Sequence, residues 1–245
     1  MEKIRLASSG HETTRLGYGC SSIMGALGRR QSLHLLEAAY AEGIRHFDVA
    51  PMYGYGEAES CLGEFRARHT DITITTKYGI APPKRGGMLR AVRRAVGPVL
   101  QLVPALKRRL VRAAGAVAAP AEKSRFSADD AHASLENSLR ALRTDFIDVF
   151  LLHEAEAVDL ADDGLLQFLR DAAAQGKIGS FGVGSDSAKL PALLRERPAY
   201  CQVVQHDWSV LDPLESQGPA FHIHHRALTD RLQTLHNNLV ADRPR

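Results

Sequence analysis

Residues 46–59 read HFDVAPMYGYGEAE, and the fold follows from how this stretch is punctuated. An apolar run over 45–50 has the length of a strand, and Pro51, Gly54 and Gly56 interrupt it. Residues 57–67 then carry Leu62 and Phe65 three apart, as one face of a helix requires. Strand, loop and helix follow one another. Asp48 falls at the strand's end and Tyr53 lies five residues on, in the loop.

The same alternation repeats outward from this unit. Upstream, a strand over 16–21 precedes a helix over 32–42 that Gly43 stops, and ahead of both 3–6, a Ser8-Ser9-Gly10 turn and 12–14 read as a hairpin. Downstream, strands are expected at 72–77, 146–152, 180–184, 200–206 and 221–225, with helices at 128–142, 165–175, 188–195 and 229–239. Ser127, with Asp130 three places on, marks the start of the longest helix. The 146–152 run is almost wholly apolar, as a strand covered on both faces is. Repeated strand–helix units imply a parallel sheet with right-handed crossovers. An open doubly wound sheet would satisfy the same pattern. Seven units of similar length and no glycine-rich dinucleotide turn favour an α/β barrel of the TIM (β/α)8 type, one domain over 1–245.

Composition narrows the function. A length of 245 residues suits one α/β barrel, and a net charge of +3 is too small to argue for nucleic acid. Cys20, Cys61 and Cys201 form neither a disulfide framework nor a zinc pattern, so a reducing cytoplasmic location is expected. No apolar run reaches the roughly 18 residues of a membrane span, and MEKIRLASSGHETT has no apolar leader core. The expected partner is therefore a small molecule, neither nucleic acid nor membrane. Residues 82–125 concentrate Lys and Arg among Leu, Val and Ala, and read as a basic helical insertion on the catalytic face. As a lid or an anion-attracting surface it would act in function. As a solvated excursion its arginines only keep it soluble. It holds one aromatic at most, Phe126 just past its edge, so it lacks a stacking platform for single-stranded nucleic acid.

In a barrel the chemistry gathers at the C-terminal strand ends. Asp48 and Tyr53 follow the second barrel strand, Lys77 ends the third in ITITTKYG (72–79) and His153 ends the fourth in FIDVFLLHE (146–154). Consecutive strand ends are neighbours, so the four can converge. Each alone has an ordinary reading as a rim, turn or cap residue; the joint placement is what points to chemistry. Reducing a carbonyl needs hydride at carbon and a proton at oxygen. A phenol such as Tyr53, with an unperturbed pKa near ~10, gives that proton reluctantly unless an ammonium such as Lys77 stabilises the phenolate. Asp48 would keep Lys77 charged, and His153 would orient the carbonyl oxygen.

FDVAPMYGYGEAESCLGEF (47–65), ITITTKYG, IDVFLLHE, GKIGSFGVGSD (176–186) and VVQHDW (203–208), in this order and after a hairpin and RLGYG (15–19), resemble the motifs of the aldo-keto reductases over roughly 3–228. The resemblance implies NADPH-dependent reduction of an aldehyde or ketone to an alcohol, with Tyr53 as the acid and Asp48, Lys77 and His153 completing a tetrad. It also implies cofactor contacts from Cys20 and Ser21 through backbone, from Asp48, from Ser185 and Gln205 to the nicotinamide carboxamide, from His225 in IHHRAL (223–228) as the ring stacked on nicotinamide, and from Arg226 near the pyrophosphate. Members of the family continue to an eighth strand and a Ser-, Lys/Arg- and Asn-rich loop that grips the adenosine 2′-phosphate. With ADRPR at 241–245 as the last residues, the expectation is a barrel missing its eighth β/α unit, with unpaired edges and a weakened phosphate grip.

Two other readings compete. One is a catalytically impaired relative in which barrel and basic insert serve as a binding or regulatory module. The other is a metal-dependent hydrolase, since His222 and His224 alternate on one side of a strand and Asp48 and His153 are candidate co-ligands, although the Lys77 cation opposes a divalent metal. The expected metal count is none. Trp208 and Tyr55 are candidates for lining the substrate pocket.

Overall fold

A computed structural model of the chain describes residues 1–25, 27–81, 123–212, 218–228 and 232–241. An antiparallel hairpin pairs β1 (Lys3–Arg5) with β2 (Glu12–Thr14), Ile4 facing Thr13. Among the described residues the main sheet has seven strands in chain order: β3 (Gly17–Gly19), β4 (His46–Asp48), β5 (Thr73–Tyr78), β6 (Ile147–His153), β7 (Ile178–Gly184), β8 (Val203–Asp207) and β9 (Phe221–His225). Every neighbouring pair is parallel. The doubly wound alternative is thereby excluded, because its strand order reverses at a switch point and this one never does. Among the described residues, β3 and β9 are the sheet's edges, and the barrel is nearly closed.

Among the described residues the helices are α1 (Arg29–Ala41), α2 (Ala58–Arg66), α3 (Ala128–Leu142), α4 (Asp163–Ala174), α5 (Leu190–Glu196) and α6 (Leu232–Ala241). Their starts follow local chemistry. Ser127 accepts a hydrogen bond from the Asp130 amide at the head of α3, and Asp162 accepts from the Gly164 amide at the head of α4, which moves that helix's start ahead of the expected 165. A 3-10 turn over Pro198–Tyr200 takes up the front of the expected 200–206 strand. Residues 229–231 of the expected last helix lie outside the described residues, and the helix is seen from Leu232. No described helix is long and apolar enough to cross a membrane.

Two apolar layers separate by strand parity. Phe47, Ile74, Phe150, Leu152, Phe181, Val183 and Val204 face outward into a core shared with Leu36, Leu62, Phe65, Leu135, Leu165 and Leu193 of the helices. Val149, Leu151 and Val203 face the lumen and pack with Leu6 of the hairpin, against partly buried Phe221 and Ile223. The hairpin stoppers the N-terminal end of the lumen: Ser8 Oγ lies 2.8 Å from Ser180 Oγ, and Thr13 Oγ1 lies 2.6 Å from Thr73 Oγ1. The C-terminal end is left for chemistry.

The basic insertion lies outside the described residues over 82–122; its roots do not. Ile80 bridges Lys123, the Ser124 amide donates to the Gly79 carbonyl, and the Tyr78 hydroxyl donates to the Arg125 carbonyl. The segment therefore leaves and rejoins the barrel at one place, the C-terminal end of β5.

Candidate active site

Strand register sets the site. Asp48 ends β4 opposite Thr75, Lys77 sits opposite Leu151, His153 ends β6 opposite Gly184, and Gly184 is opposite Gln205. Asp48, Lys77, His153 and Gln205 thus share the lumen side at the C-terminal rim. Tyr53 enters from the loop after β4, in a 3-10 turn over Tyr53–Gly56. That turn holds Gly54 at φ 59, Tyr55 at φ 58 and Gly56 at φ 85, three left-handed residues in succession. Only glycine is unstrained there, so the Tyr55 backbone stores strain beside the site. A Cβ at Gly54 would lie 2.5 Å from Met24 Cβ and 2.7 Å from the Ile23 carbonyl, so the turn is pressed onto the loop after β3.

Lys77, only 2% exposed, donates to Asp48 Oδ1 at 2.5 Å and to the Val49 carbonyl at 3.3 Å. Its nitrogen is 5.2 Å from the centre of the Tyr53 ring. Burial pulls the ammonium's pKa down, but the Asp48 carboxylate and the Tyr53 hydroxyl more than offset this, and it stands above its ordinary value. The Tyr53 phenol is pushed up by burial; the nearby Lys77 charge opposes that without cancelling it. The sequence reasoning expected Lys77 to lower this pKa. Its pull has that sign, yet desolvation wins and the phenol keeps its proton at neutral pH. His153 meets Tyr53 edge-on, ring centroids 6.2 Å apart. Burial and the Lys77 charge push its pKa down to about 3, so the ring is neutral.

The remaining expected residues divide. Gln205 and Ser185 are adjacent, the Ser185 amide donating to the Gln205 carbonyl at 3.0 Å, and both are buried. Their side chains turn apart: Ser185 Oγ donates to the Ala155 carbonyl at 2.7 Å, and Gln205 Nε2 donates to Asp48 Oδ2 at 2.7 Å. Cys20 is buried, with its thiol raised well above the ordinary value by burial, while Ser21 beside it is exposed. His225 ends β9 half-buried, and Arg226 follows it, exposed, at φ 59. Tyr55 is partly exposed in the strained turn. Trp208 is half-buried, with one ring contact on His224 at 5.1 Å.

The histidine-rich strand faces the other way. His222 and His224 stack with centroids 6.2 Å apart, and His206 lies 4.7 Å from His224. By parity these three share the outer side with Val204, whereas Asp48 and His153 share the lumen side. The proposed co-ligands are thus on opposite faces of the sheet. Among the described residues no group of three or more His, Cys, Asp or Glu side chains is placed to hold a metal.

Sequence reasoning missed the Gln205–Asp48 bond and His46. His46, buried and two residues before Asp48 on the same lumen face, is bracketed by Thr73 Oγ1 at 2.9 Å and Thr75 Oγ1 at 3.2 Å. The period of two along HFD was the signal that could have found it.

Known proteins place this architecture. The chain is 29% identical over 240 residues to the pyridoxal 4-dehydrogenase of Microbacterium luteolum, covering 88% of this chain and 65% of that protein. It is 28% identical over 189 residues to the D-threo-aldose 1-dehydrogenase of a Pseudomonas species, covering 73% and 52%. The chain thus spans less than two thirds of the length of either relative. Among solved structures, the holo form of the aldo-keto reductase AKR11C1 from Bacillus halodurans superposes with a TM-score of 0.68 at 21% identity, over 100% of this chain and 79% of that one. The aldo/keto reductase of Klebsiella pneumoniae in complex with NADP and acetate superposes at 0.57 with 21% identity, over 86% and 59%. The Aldo/keto reductase family model matches residues 15–226, and the chain belongs to that family.

Proposed function

We propose that this chain reduces an aldehyde or ketone to the alcohol with NADPH, Tyr53 giving the proton. The observation that carries the reading is the buried Lys77 ammonium at the barrel mouth, bonded to Asp48 and 5.2 Å from the centre of the Tyr53 ring. Membership of the family, and relatives whose names describe dehydrogenases of pyridoxal and of a D-threo-aldose, support carbonyl–alcohol chemistry.

The residues present fit a nicotinamide. The Gln205 side-chain oxygen keeps acceptor capacity while its nitrogen serves Asp48, and Ser185 Oγ, just past the end of β7, keeps its lone pairs while its proton serves Ala155, so either could accept from a carboxamide amine. His225 at the end of β9 offers an imidazole face, Arg226 an exposed cation for phosphate, and the turn at Cys20 and Ser21 its backbone. When bound, the cofactor supplies the hydride for the carbonyl carbon.

The chain's own residues do the rest. A phenol is protonated at neutral pH at its ordinary value and burial raises it further, so a proton is in place before reaction. As charge develops on the carbonyl oxygen, the Tyr53 O–H bond breaks and the proton passes to that oxygen. The phenolate left behind sits beside Lys77, whose charge Asp48 maintains, and takes up a proton from water afterwards. Neutral His153 donates one N–H to the carbonyl oxygen and fixes its direction. Titration of NADPH, read by nicotinamide fluorescence and followed by aldehyde-dependent oxidation, tests the reading. No binding at millimolar cofactor would overturn it.

A further inference from the structure

The lumen mouth holds one contact that the mechanism above leaves unused: the Gln205 side-chain amide reaches across the barrel, from β8 to β4, and donates to Asp48 Oδ2 at 2.7 Å. Asp48 is therefore held on both oxygens, with Lys77 on Oδ1 at 2.5 Å. The torsion that turns a carboxylate about its own axis is broad and weakly restrained, so a carboxylate gripped on one oxygen pivots and one gripped on both is fixed in its plane. The amide's orientation is dictated by its partner, since an ionised carboxylate only accepts and the NH2 group must face it. Gln205 is 4% exposed and Lys77 2%, so water does not readily replace either grip.

We propose that Gln205 is a positioning residue for the proton-donating pair: by clamping Asp48 Oδ2 it aims Oδ1 at the Lys77 ammonium, and so keeps that ammonium beside the Tyr53 hydroxyl. The residue acts through Asp48 and touches neither Lys77 nor the phenol. Its side-chain nitrogen serves the carboxylate while its oxygen is left for a ligand, which couples occupancy of the cofactor site to the alignment of the acid. This rests on the reductase reading for its purpose, but the clamp itself is a contact between two side chains of the chain.

The test uses that independence. The chain has few lysines, so 13Cε-lysine labelling with a Lys77→Met variant for assignment gives the Lys77 titration directly, without cofactor. Gln205→Met removes the donor at similar volume, and Gln205→Asn keeps an amide that is one methylene too short to reach. In both, the Lys77 titration is expected to move down by about one pH unit, the lower end of what a well-placed opposite charge contributes. A Lys77 titration unchanged in a folded variant overturns the proposal, whatever happens to melting temperature, because a brace or a cofactor contact would leave it unmoved. If Gln205→Met does not fold, Gln205→Asn alone decides. NADPH titration of the unsubstituted protein runs beside it: absent binding refutes the reductase reading and leaves the clamp to stand or fall on the lysine signal.

Discussion

Tyr53 and His153 meet with their rings at 89°, an edge-to-face contact at a centroid distance of 6.2 Å, and the Lys77 nitrogen lies 5.2 Å from the centre of the Tyr53 ring. The contact joins a loop residue to a strand residue at the barrel mouth. A carbonyl oxygen bound there would meet a protonated phenol and a neutral imidazole, each with one hydrogen to donate.

The first consequence concerns Tyr53. A Tyr53→Phe variant should keep its fold and its nicotinamide fluorescence response while carbonyl reduction falls about 10²- to 10⁴-fold, the span that general acid catalysis contributes. Steady-state turnover beside a binding titration checks this, and full turnover in the variant would remove Tyr53 from its role.

A second concerns the buried pair. Asp48→Asn removes the charge that compensates a lysine only 2% exposed, and breaking such a pair costs about 3–5 kcal/mol. The cost should shrink as pH rises and Lys77 gives up its proton. Urea denaturation at neutral and alkaline pH measures both. A variant as stable as the parent at neutral pH would show that the pair is dispensable.

Acid should loosen the barrel. His153 stands at about 3 in the folded protein against 6.5 unfolded, pushed there first by burial and then by Lys77. Below pH 6.5 the unfolded chain takes up a proton that the folded one refuses, so the contribution is complete above 6.5 and is lost as pH falls toward 3. On the order of 1.4 kcal/mol goes per pH unit. His46, His224 and His225 are also lowered, burial being the first cause of each, and add to the same slope. Melting temperature should drop between pH 7 and 5, and His153→Asn should flatten the drop; an identical slope in that variant contradicts the assignment.

The turn that carries Tyr53 should tolerate nothing larger than glycine at 54. Gly54→Ala meets Met24 Cβ and the Ile23 carbonyl at 2.5 and 2.7 Å, in a left-handed backbone at φ 59. A cost of about 1–3 kcal/mol is expected, and turnover should fall further than stability alone explains, because the displaced turn carries the phenol. Thermal melts and turnover of the same preparation separate the two effects.

Much of this was legible along the chain. Strand order, the hairpin, the long helix from Ala128 to Leu142 and the strand Phe221–His225 follow from periodicity and capping, which are local. So does the placing of Asp48, Lys77 and His153 on one rim, since each closes a strand and strands in chain order bring their ends together. Tertiary structure decided three other matters. Which oxygen of Asp48 receives Lys77 and which receives Gln205 depends on a distance across the lumen, between residues 157 apart in the chain. The net rise of the Tyr53 pKa depends on how much water the assembled mouth removes, and a one-dimensional pattern carries no measure of desolvation. That His222 and His224 lie on the outer side of the sheet rather than the lumen side depends on the register of β9 against β8, where a slip of one residue would reverse both.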